Sequence, residues 1–372
     1  MKLVGIRDAR VVSRAAPRLS ARLQARVRAL VLLAIVLDVP IASRIVRALT
    51  PEPRIEQFEI DGVPVEVVVP ARRGPHPAFL FVNGAHPERR KEPVVQRLSR
   101  GLARAGFMTV VPDLPGLGEG EITTRLPDAL AAVARYAVER PDVRGGRVAL
   151  VGASTGASLA LIAAARPELA GRISLVAAVA PFANLDKMIC LTTTRHYEEE
   201  HGFVPYEVSE LSRRVVARSL VASLECEDRG RLLAELTRME REGVDPLEEL
   251  PKRPGLSAKA QAVARVLANR DPVAFGTLCE DLPPEVCELM RRLSPLHAAP
   301  SVSAAVEVVV PPADDYFPFG EAAALARALP DVRLTVTRVL DHTRPTASRE
   351  TVGEFADFDR FVVRSLAVAA GR

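Results

Sequence analysis

Short apolar runs alternate with segments of helical periodicity along residues 55–180. The runs are continuously apolar, which is typical of strands buried on both faces. The first two runs, separated by Asp61-Gly62, predict a hairpin; the alternation of strands and helices after them predicts an α/β fold, with a mostly parallel, doubly wound sheet covered by helices on both sides. The predicted strands are Ile55–Ile60, Val63–Pro70, Pro77–Asn83, Phe107–Pro112, Arg147–Val151 and Ile173–Ala180, and the predicted helices are Glu92–Ala105, Leu126–Glu139 and Thr155–Ala165.

The alternation stops near residue 187 and resumes near residue 298. Residues 187–297 offer charged amphipathic stretches and no convincing strand, so we expect an all-helical insertion. Strands then return at Ala304–Val310 and Arg333–Leu340, followed by helices at Gly320–Leu329 and Arg349–Leu366. The sequence therefore predicts one α/β core over 55–186 and 298–372, interrupted by a helical insertion.

Residues 1–54 form a basic N-terminal extension. They carry 11 basic and 3 acidic side chains, whereas the whole chain has a net charge of only +4, so the rest of the chain is net acidic. An apolar run, Ala29–Leu37, follows the basic part. It is much shorter than the roughly 20 residues that a membrane-spanning helix needs. Five arginines spaced by four residues predict a basic stripe on a helix: Arg10, Arg14, Arg18, Arg22 and Arg26.

Three arrangements of this extension stay open. It packs on the body of the protein or on a second copy of the chain as a homodimer, it lies on a membrane surface through residues 1–48, or it spans a membrane. We expect a cytoplasmic protein, with peripheral membrane contact as the alternative.

Composition excludes several classes of function. Aromatic residues make up only 4% of the chain, which argues against a base-stacking nucleic-acid platform, and no base-reading module accompanies the basic extension. The four cysteines lack CxxC spacing, so neither a redox pair nor a zinc ribbon is expected. We therefore predict no metal, no cofactor and no nucleic-acid partner.

A G-x-S-x-G motif, Gly152–Gly156, lies between a predicted strand and a predicted helix. A serine in this context sits on a sharp turn that lifts its hydroxyl above the sheet, and the N–H of the next residue points at a bound ester oxygen. Ser154 is the predicted nucleophile and Thr155 supplies that N–H. The alternative is an ordinary strand–helix turn of small residues.

The serine needs a base and an acid to orient it. Of six histidines, His342 is favoured because it follows the last predicted strand, where a loop brings it to the sheet edge; a surface loop histidine is the alternative. His86 is the second choice. Asp314 and Asp315 follow the Ala304–Val310 strand and are both candidate acids, with Asp113 as a third.

These features resemble the α/β-hydrolase fold family over roughly residues 55–186 and 295–368. Val82–Ala85 (VNGA) is similar to the family's His-Gly-x oxyanion segment, with asparagine in place of histidine, and Asp113–Gly118 (DLPGLG) is similar to its D-x-x-G-x-G loop. The resemblance implies an oxyanion hole formed by the N–H groups of Ala85 and Thr155, and a helical cap at the insertion.

The resemblance also selects between the two adjacent aspartates. The family's acid segment commonly reads G-x-x-D-x-x-x-P or one residue shorter. With Pro312 in the glycine position, Asp315 takes the acid position and Pro318 the proline, so Asp315 is preferred to Asp314.

The leading functional hypothesis is a serine hydrolase that cleaves a carboxylic ester through an acyl-enzyme. The substrate is a small-molecule or lipid-like ester, and apolar residues of the insertion are expected to face its acyl chain. Acyl transfer, amide or peptide cleavage, C–C hydrolysis and a non-catalytic binding role on the same scaffold are the alternatives. The insertion residues in question are Leu211, Val215, Val216 and Leu220.

Overall fold

The computed structural model describes residues 9–345 and 353–371, with side chains described from residue 23 onward. Four arginines of the predicted basic stripe, up to Arg22, therefore lie outside the described side chains. The same holds for the start of the predicted helix Arg349–Leu366.

An eight-stranded sheet forms the centre of the molecule. Numbered along the chain, the strands lie side by side in the order first, second, fourth, third, fifth, sixth, ninth and tenth. The first two pairings in this order are antiparallel and the other five are parallel. The strands are β1 (Arg54–Ile60), β2 (Val63–Val69), β3 (His76–Val82), β4 (Met108–Pro112), β5 (Val143–Ala153), β6 (Ile173–Val179), β7 (His196–Glu199), β8 (Gly202–Pro205), β9 (Ala305–Val310), β10 (Val332–Val336), β11 (Leu340–Asp341) and β12 (Arg344–Pro345).

Helices cover both faces of this sheet. One face carries the first, third and last helices, and the other carries the fourth, fifth and fourteenth. The helices are α1 (Ala9–Val36), α2 (Pro40–Leu49), α3 (Pro93–Arg104), α4 (Leu126–Glu139), α5 (Thr155–Ala164), α6 (Leu185–Thr194), α7 (Glu210–Ser223), α8 (Asp228–Glu242), α9 (Pro246–Glu249), α10 (Ala258–Ala268), α11 (Phe275–Glu280), α12 (Pro284–Arg292), α13 (Pro295–Ala298), α14 (Phe319–Ala328) and α15 (Phe355–Ala369).

The doubly wound, mostly parallel architecture predicted from the sequence is confirmed. Strand β3 is buried along its whole length, as its continuous apolar run requires. The predicted helix Leu126–Glu139 has the same bounds in the structure.

The last predicted strand, Arg333–Leu340, is wrong in its second half. β10 ends at Val336, and the N–H of Thr337 donates to the carbonyl of Val310. The Thr337 hydroxyl then accepts from the N–H of Val339, which turns the chain away from the sheet. Leu340 consequently begins the separate short strand β11.

The insertion at 187–297 is mostly helical, but the expectation that it is all helical is wrong. β7 and β8 pair as an antiparallel hairpin, with Gly202 at φ +121° after the turn. The strand sequences HYEE and GFVP show no apolar alternation, so no strand signal was present.

Helix α7 places the insertion over the loop that follows β4. The N–H of Ile122 donates to the Ser219 hydroxyl at 2.9 Å, and the Arg218 guanidinium lies 2.6 Å from the Glu121 carboxylate. These contacts hold α7 above the carboxyl ends of the parallel strands, where the site lies.

The described half of α1 packs on the body, between α3 and α15. Ala25, Ala29 and Leu32 are buried there, and Gly101 of α3 allows Leu32 to approach closely. In the described part of the chain, no helix combines the length and apolarity needed to cross a bilayer.

Candidate active site

Ser154 occupies a strained turn between β5 and α5. Its backbone has φ 54° and ψ −128°, a conformation that costs energy for a residue with a side chain. A Cβ on Gly152 would lie 2.4 Å from the Cα of Ala157, and one on Gly156 would lie 2.2 Å from the carbonyl oxygen of Val82. Only glycine at both positions lets the strand, the turn and the helix approach closely enough to form this elbow.

His342 reaches Ser154 from the turn between β11 and β12. Its Nε2 lies 2.8 Å from the Ser154 Oγ, and its side chain is only 11% exposed. The residue has φ 51°, so the turn that presents it is also strained. The structure thus brings together the serine and the histidine that the sequence indicated, although they are 188 residues apart.

The acid that faces His342 is Asp314. Its Oδ2 lies 2.8 Å from Nδ1 of His342, and its Oδ1 accepts from the N–H of Tyr316 at 2.8 Å. Asp314 is buried, as a carboxylate that orients an imidazole away from water should be. A proton on Nδ1 of His342 is donated to this carboxylate, which leaves Nε2 free to accept the hydroxyl proton of Ser154.

The preference for Asp315 is therefore wrong. Asp315 is exposed, because the turn that Asp314 makes with the N–H of Tyr316 directs the neighbouring side chain to solvent. Asp314 lies four residues before Pro318, which is the longer of the two family spacings. The wrong choice of aspartate came from placing Pro312 at the family's glycine position. The position of Pro318 agrees with Asp314.

Two aromatic rings that the sequence did not single out hold the imidazole. The ring of Tyr316 stacks on His342 with centroids 4.2 Å apart and an interplanar angle of 23°, and Phe317 meets it edge-on at 5.4 Å. Tyr206 donates its hydroxyl to the carbonyl of Asp314, and burial raises the pKa of Tyr206, so it remains a donor. The only signal in the sequence was that Tyr316 and Phe317 directly follow the two aspartates.

The loop after β3 lies against Ser154. A Cβ on Gly84 would lie 3.2 Å from the Ser154 Cβ, so glycine permits this approach. Asn83, in the histidine position of the family motif, accepts from the N–H of Gly84 at 2.9 Å and donates to the carbonyl of Arg89 at 3.0 Å. Its amide side chain thereby holds the loop.

Two backbone donors are available beside the serine. The hydrogen bonds of the described residues assign no protein acceptor to the N–H groups of Ala85 or Thr155, and both residues line the pocket at Ser154. The N–H of Thr155 is also at the first turn of α5, where the helix dipole favours negative charge. This pair has the chemistry to stabilise an oxyanion.

The remaining candidates lie elsewhere. Asp113 accepts from the N–H of Arg90 at 3.0 Å and pairs with the guanidinium of the same residue, so it ties the loop after β4 to the segment between β3 and α3, and not to its own loop as the sequence suggested. His86 lines the pocket, 3.9 Å from a carboxylate oxygen of Glu92. His297 contacts the carbonyl of Arg291 at 3.1 Å. None of these three residues contacts Ser154 or His342 through a described hydrogen bond.

A pocket of about 240 Å³ opens above Ser154. Three of the four insertion residues expected to face substrate, Leu211, Val215 and Val216, line it, whereas Leu220 is buried within the insertion. Phe182 of the core and Met188, at the start of the insertion, add further apolar walls. Within the described ranges, no group of three histidine, cysteine or acidic side chains is arranged to hold a metal ion.

The sequence profile described as "Alpha/beta hydrolase family" matches residues 79–354, which is most of the chain. The chain therefore belongs to the alpha/beta hydrolase family, and its fold and the serine–histidine–aspartate arrangement agree with that membership. No curated protein matches the sequence at a significant level.

Solved structures with the same fold include an acylaminoacyl peptidase of Pyrococcus horikoshii (TM-score 0.51, 13% identity, 88% of this chain and 44% of that chain). They also include dipeptidyl peptidase 4 of Porphyromonas gingivalis (0.50, 13%, 88% and 37%). A 2,6-dihydroxy-pseudo-oxynicotine hydrolase is a further similar structure (0.49, 15%, 87% and 72%). At these identities the likeness shows the fold alone. The chain spans less than half the length of either peptidase.

Proposed function

We propose that the protein is a serine hydrolase that cleaves carboxylic esters, with Ser154 as nucleophile, His342 as general base and Asp314 as the orienting acid. The observation that carries the proposal is the continuous relay from Ser154 Oγ to His342 Nε2 and from His342 Nδ1 to Asp314 Oδ2, with 2.8 Å at each step. A hydroxyl within hydrogen-bond reach of an oriented imidazole is the arrangement that activates a serine.

The reaction proceeds in two halves. His342 takes the hydroxyl proton while Ser154 Oγ attacks the acyl carbon, and the N–H groups of Ala85 and Thr155 bind the oxyanion. The carbon–oxygen bond to the alcohol then breaks, and His342 gives its proton to the leaving alkoxide. Water, deprotonated by His342, attacks the acyl-serine, and the bond from the acyl carbon to Ser154 Oγ breaks as His342 returns the proton to Oγ, which releases the carboxylic acid and the free serine. Asp314 stays ionised throughout and stabilises the imidazolium.

The pocket favours a compact apolar acyl group. Helix α7 lines it mainly with aliphatic side chains and Phe182 and Phe317 add aromatic walls, and its volume of about 240 Å³ lies below the range of roughly 300–1,000 Å³ common for drug-sized ligands. Short- and medium-chain esters fit this space better than the long-chain, lipid-like esters considered from the sequence.

Acyl transfer, amide or peptide cleavage and C–C hydrolysis use the same three groups, so substrate tests must separate them. The first experiment is a p-nitrophenyl ester panel from acetate to palmitate, run beside anilide and peptide substrates. We expect kcat/KM to be highest among the short and medium esters and to fall by at least about 10³-fold in Ser154→Ala.

Ser301→Ala, an exposed serine far from the site, serves as the matched control and should keep wild-type rates. Undiminished ester hydrolysis by Ser154→Ala would contradict the mechanism. Turnover of amides but not esters would contradict the substrate class, and an optimum at palmitate would contradict the acyl size.

A further inference from the structure

The exposed apolar side chains of this protein are concentrated on its first two helices. Of the 13 large apolar side chains that are exposed among the described residues, seven lie within residues 23–49. We call these seven, together with Arg26 and Arg44, the α1–α2 face. The apolar members are Leu23, Val27, Leu30, Val39, Ile41, Ile45 and Leu49.

On each helix these side chains form one stripe. Leu23, Val27 and Leu30 are spaced by four and three residues, so they lie on the side of α1 opposite the residues that pack on the body. Ile41, Ile45 and Leu49 on α2 are each four residues apart and likewise share a side.

The two stripes are continuous. Val27 and Leu30 from α1 and Ile45 from α2 line the same open groove between the helices, which Phe355 and Asp359 of α15 also line. A contiguous apolar surface of this kind on a folded protein marks a site of interaction.

Positive charge borders the apolar surface. Residues 23–49 contain four arginines and one acid, Asp38, which lies 3.5 Å from the Arg47 guanidinium. Arg26 and Arg44 are exposed, and each directly precedes an apolar residue of its stripe. In the sequence, residues 1–22 add six basic side chains and one acidic one.

We propose that the α1–α2 face docks on an anionic lipid surface. A second copy of the chain would bring the same positive charge against this face, whereas acidic headgroups complement it. The apolar stripes would enter the boundary between headgroups and acyl chains while the arginines contact phosphate. Docked in this way, both helices lie in the plane of the interface.

The test is sedimentation of the full chain with sucrose-loaded vesicles of phosphatidylcholine alone or with phosphatidylglycerol. We expect binding to the mixed vesicles, little binding to the neutral ones, and weaker binding at high salt. Two double variants separate the two contributions. Leu30→Gln/Ile41→Gln removes apolar contact and should weaken binding at least about tenfold. Arg26→Gln/Arg44→Gln should weaken it roughly 30-fold, about fivefold per arginine.

Matched controls replace side chains of the same types elsewhere. Phe203→Gln/Val273→Gln removes two exposed apolar residues, and Arg125→Gln/Arg229→Gln removes two exposed arginines. Both controls should bind as the wild type does, and thermal melts should show that all four variants are folded. Because the experiment measures vesicle binding and not ester turnover, its result does not depend on the proposed hydrolase activity.

Three results would overturn the proposal. The first is equal binding by wild type and Leu30→Gln/Ile41→Gln; the second is equal binding to neutral and anionic vesicles. The third is that the wild type does not bind vesicles and is a dimer in sedimentation equilibrium, whereas Leu30→Gln/Ile41→Gln is a monomer. This result would make the α1–α2 face an interface between copies of the chain.

Discussion

Oδ2 of Asp314 lies 2.8 Å from Nδ1 of His342, and the same carboxylate is fixed by the N–H of Tyr316. The acid is therefore held on two sides, and the imidazole has one orientation in which Nε2 faces Ser154. The adjacent Asp315 is exposed and takes no part in this contact.

This contact predicts opposite outcomes for two neighbouring substitutions. Asp314→Asn should lower kcat by about 10⁴-fold, because an amide favours the wrong imidazole tautomer. Asp315→Asn, the matched control one residue away, should stay within about twofold of wild type. Steady-state kinetics on the best ester of the panel measures both. A severe loss in Asp315→Asn with activity retained in Asp314→Asn would contradict the structure.

The stacked ring of Tyr316 gives a second prediction. Without it the imidazole gains freedom beside Ser154, and small misplacements of a catalytic group are costly. Tyr316→Ala should lower kcat about 10- to 100-fold, whereas Tyr316→Phe keeps the ring and should lower it less than about threefold. Circular dichroism melts check that both variants fold. Equal rates for the two variants would show that the ring does not position His342.

The nucleophile elbow predicts a large difference between two glycine-to-alanine substitutions. Gly156→Ala puts a Cβ 2.2 Å from the Val82 carbonyl oxygen, so we expect a loss of more than about 3 kcal/mol in the free energy of unfolding. Gly276 in α11 has nothing within 4 Å of its Cβ position, and Gly276→Ala should be neutral or gain up to about 1 kcal/mol. Urea denaturation compares them, and similar stabilities would contradict the close approach described here.

The pKa of Asp228 in the insertion gives a pH-dependent prediction. Hydrogen bonds from Arg231 at 2.7 Å and from the N–H of Ser257 at 2.8 Å lower this pKa to about 2. A carboxyl group whose pKa is lower in the folded state than in the unfolded state stabilises the fold at pH values above its ordinary pKa near 4. This contribution is lost as the pH falls toward 2.

The free energy of unfolding of Asp228→Asn should therefore lie furthest below that of wild type at pH 5–7, with the gap closing between about pH 4 and pH 2. Chemical denaturation at several pH values measures the gap, with Asp315→Asn as an exposed carboxylate control. A gap that is constant with pH would contradict the assignment.

Much of the core was predictable because its physical signals are local. Continuous apolar runs, the helical period of Leu126–Glu139 and the strand–glycine–helix context of Ser154 each depend on a short stretch of sequence. His342 was found because it follows an apolar run that leads to the sheet edge. The last strand was predicted too long, because the apolar run does not show the hydrogen bond from the N–H of Val339 to the Thr337 hydroxyl that turns the chain.

The parts that sequence reasoning missed depend on side-chain direction and tertiary contact. The sequence does not show which of two adjacent aspartate side chains a turn directs toward His342. The turn at Asp314 depends on a hydrogen bond from the N–H of Tyr316 to the Asp314 side chain, and a rule based on residue spacing does not include such a bond. The stacking of Tyr316 on His342 joins two loops distant in sequence. The hairpin in the insertion has only four residues in each strand, too few to show an alternating apolar pattern, and its apolar pair, Tyr197 and Val204, is brought together only by the pairing.

The central claim, that Ser154 is an activated nucleophile, is tested most directly by intact-mass analysis after treatment with a fluorophosphonate. We predict one adduct on wild type, no adduct on Ser154→Ala, and much slower labelling of His342→Ala and Asp314→Asn. Peptide mapping should place the adduct on Ser154. An unlabelled wild type, or an adduct that persists in Ser154→Ala, would contradict the account.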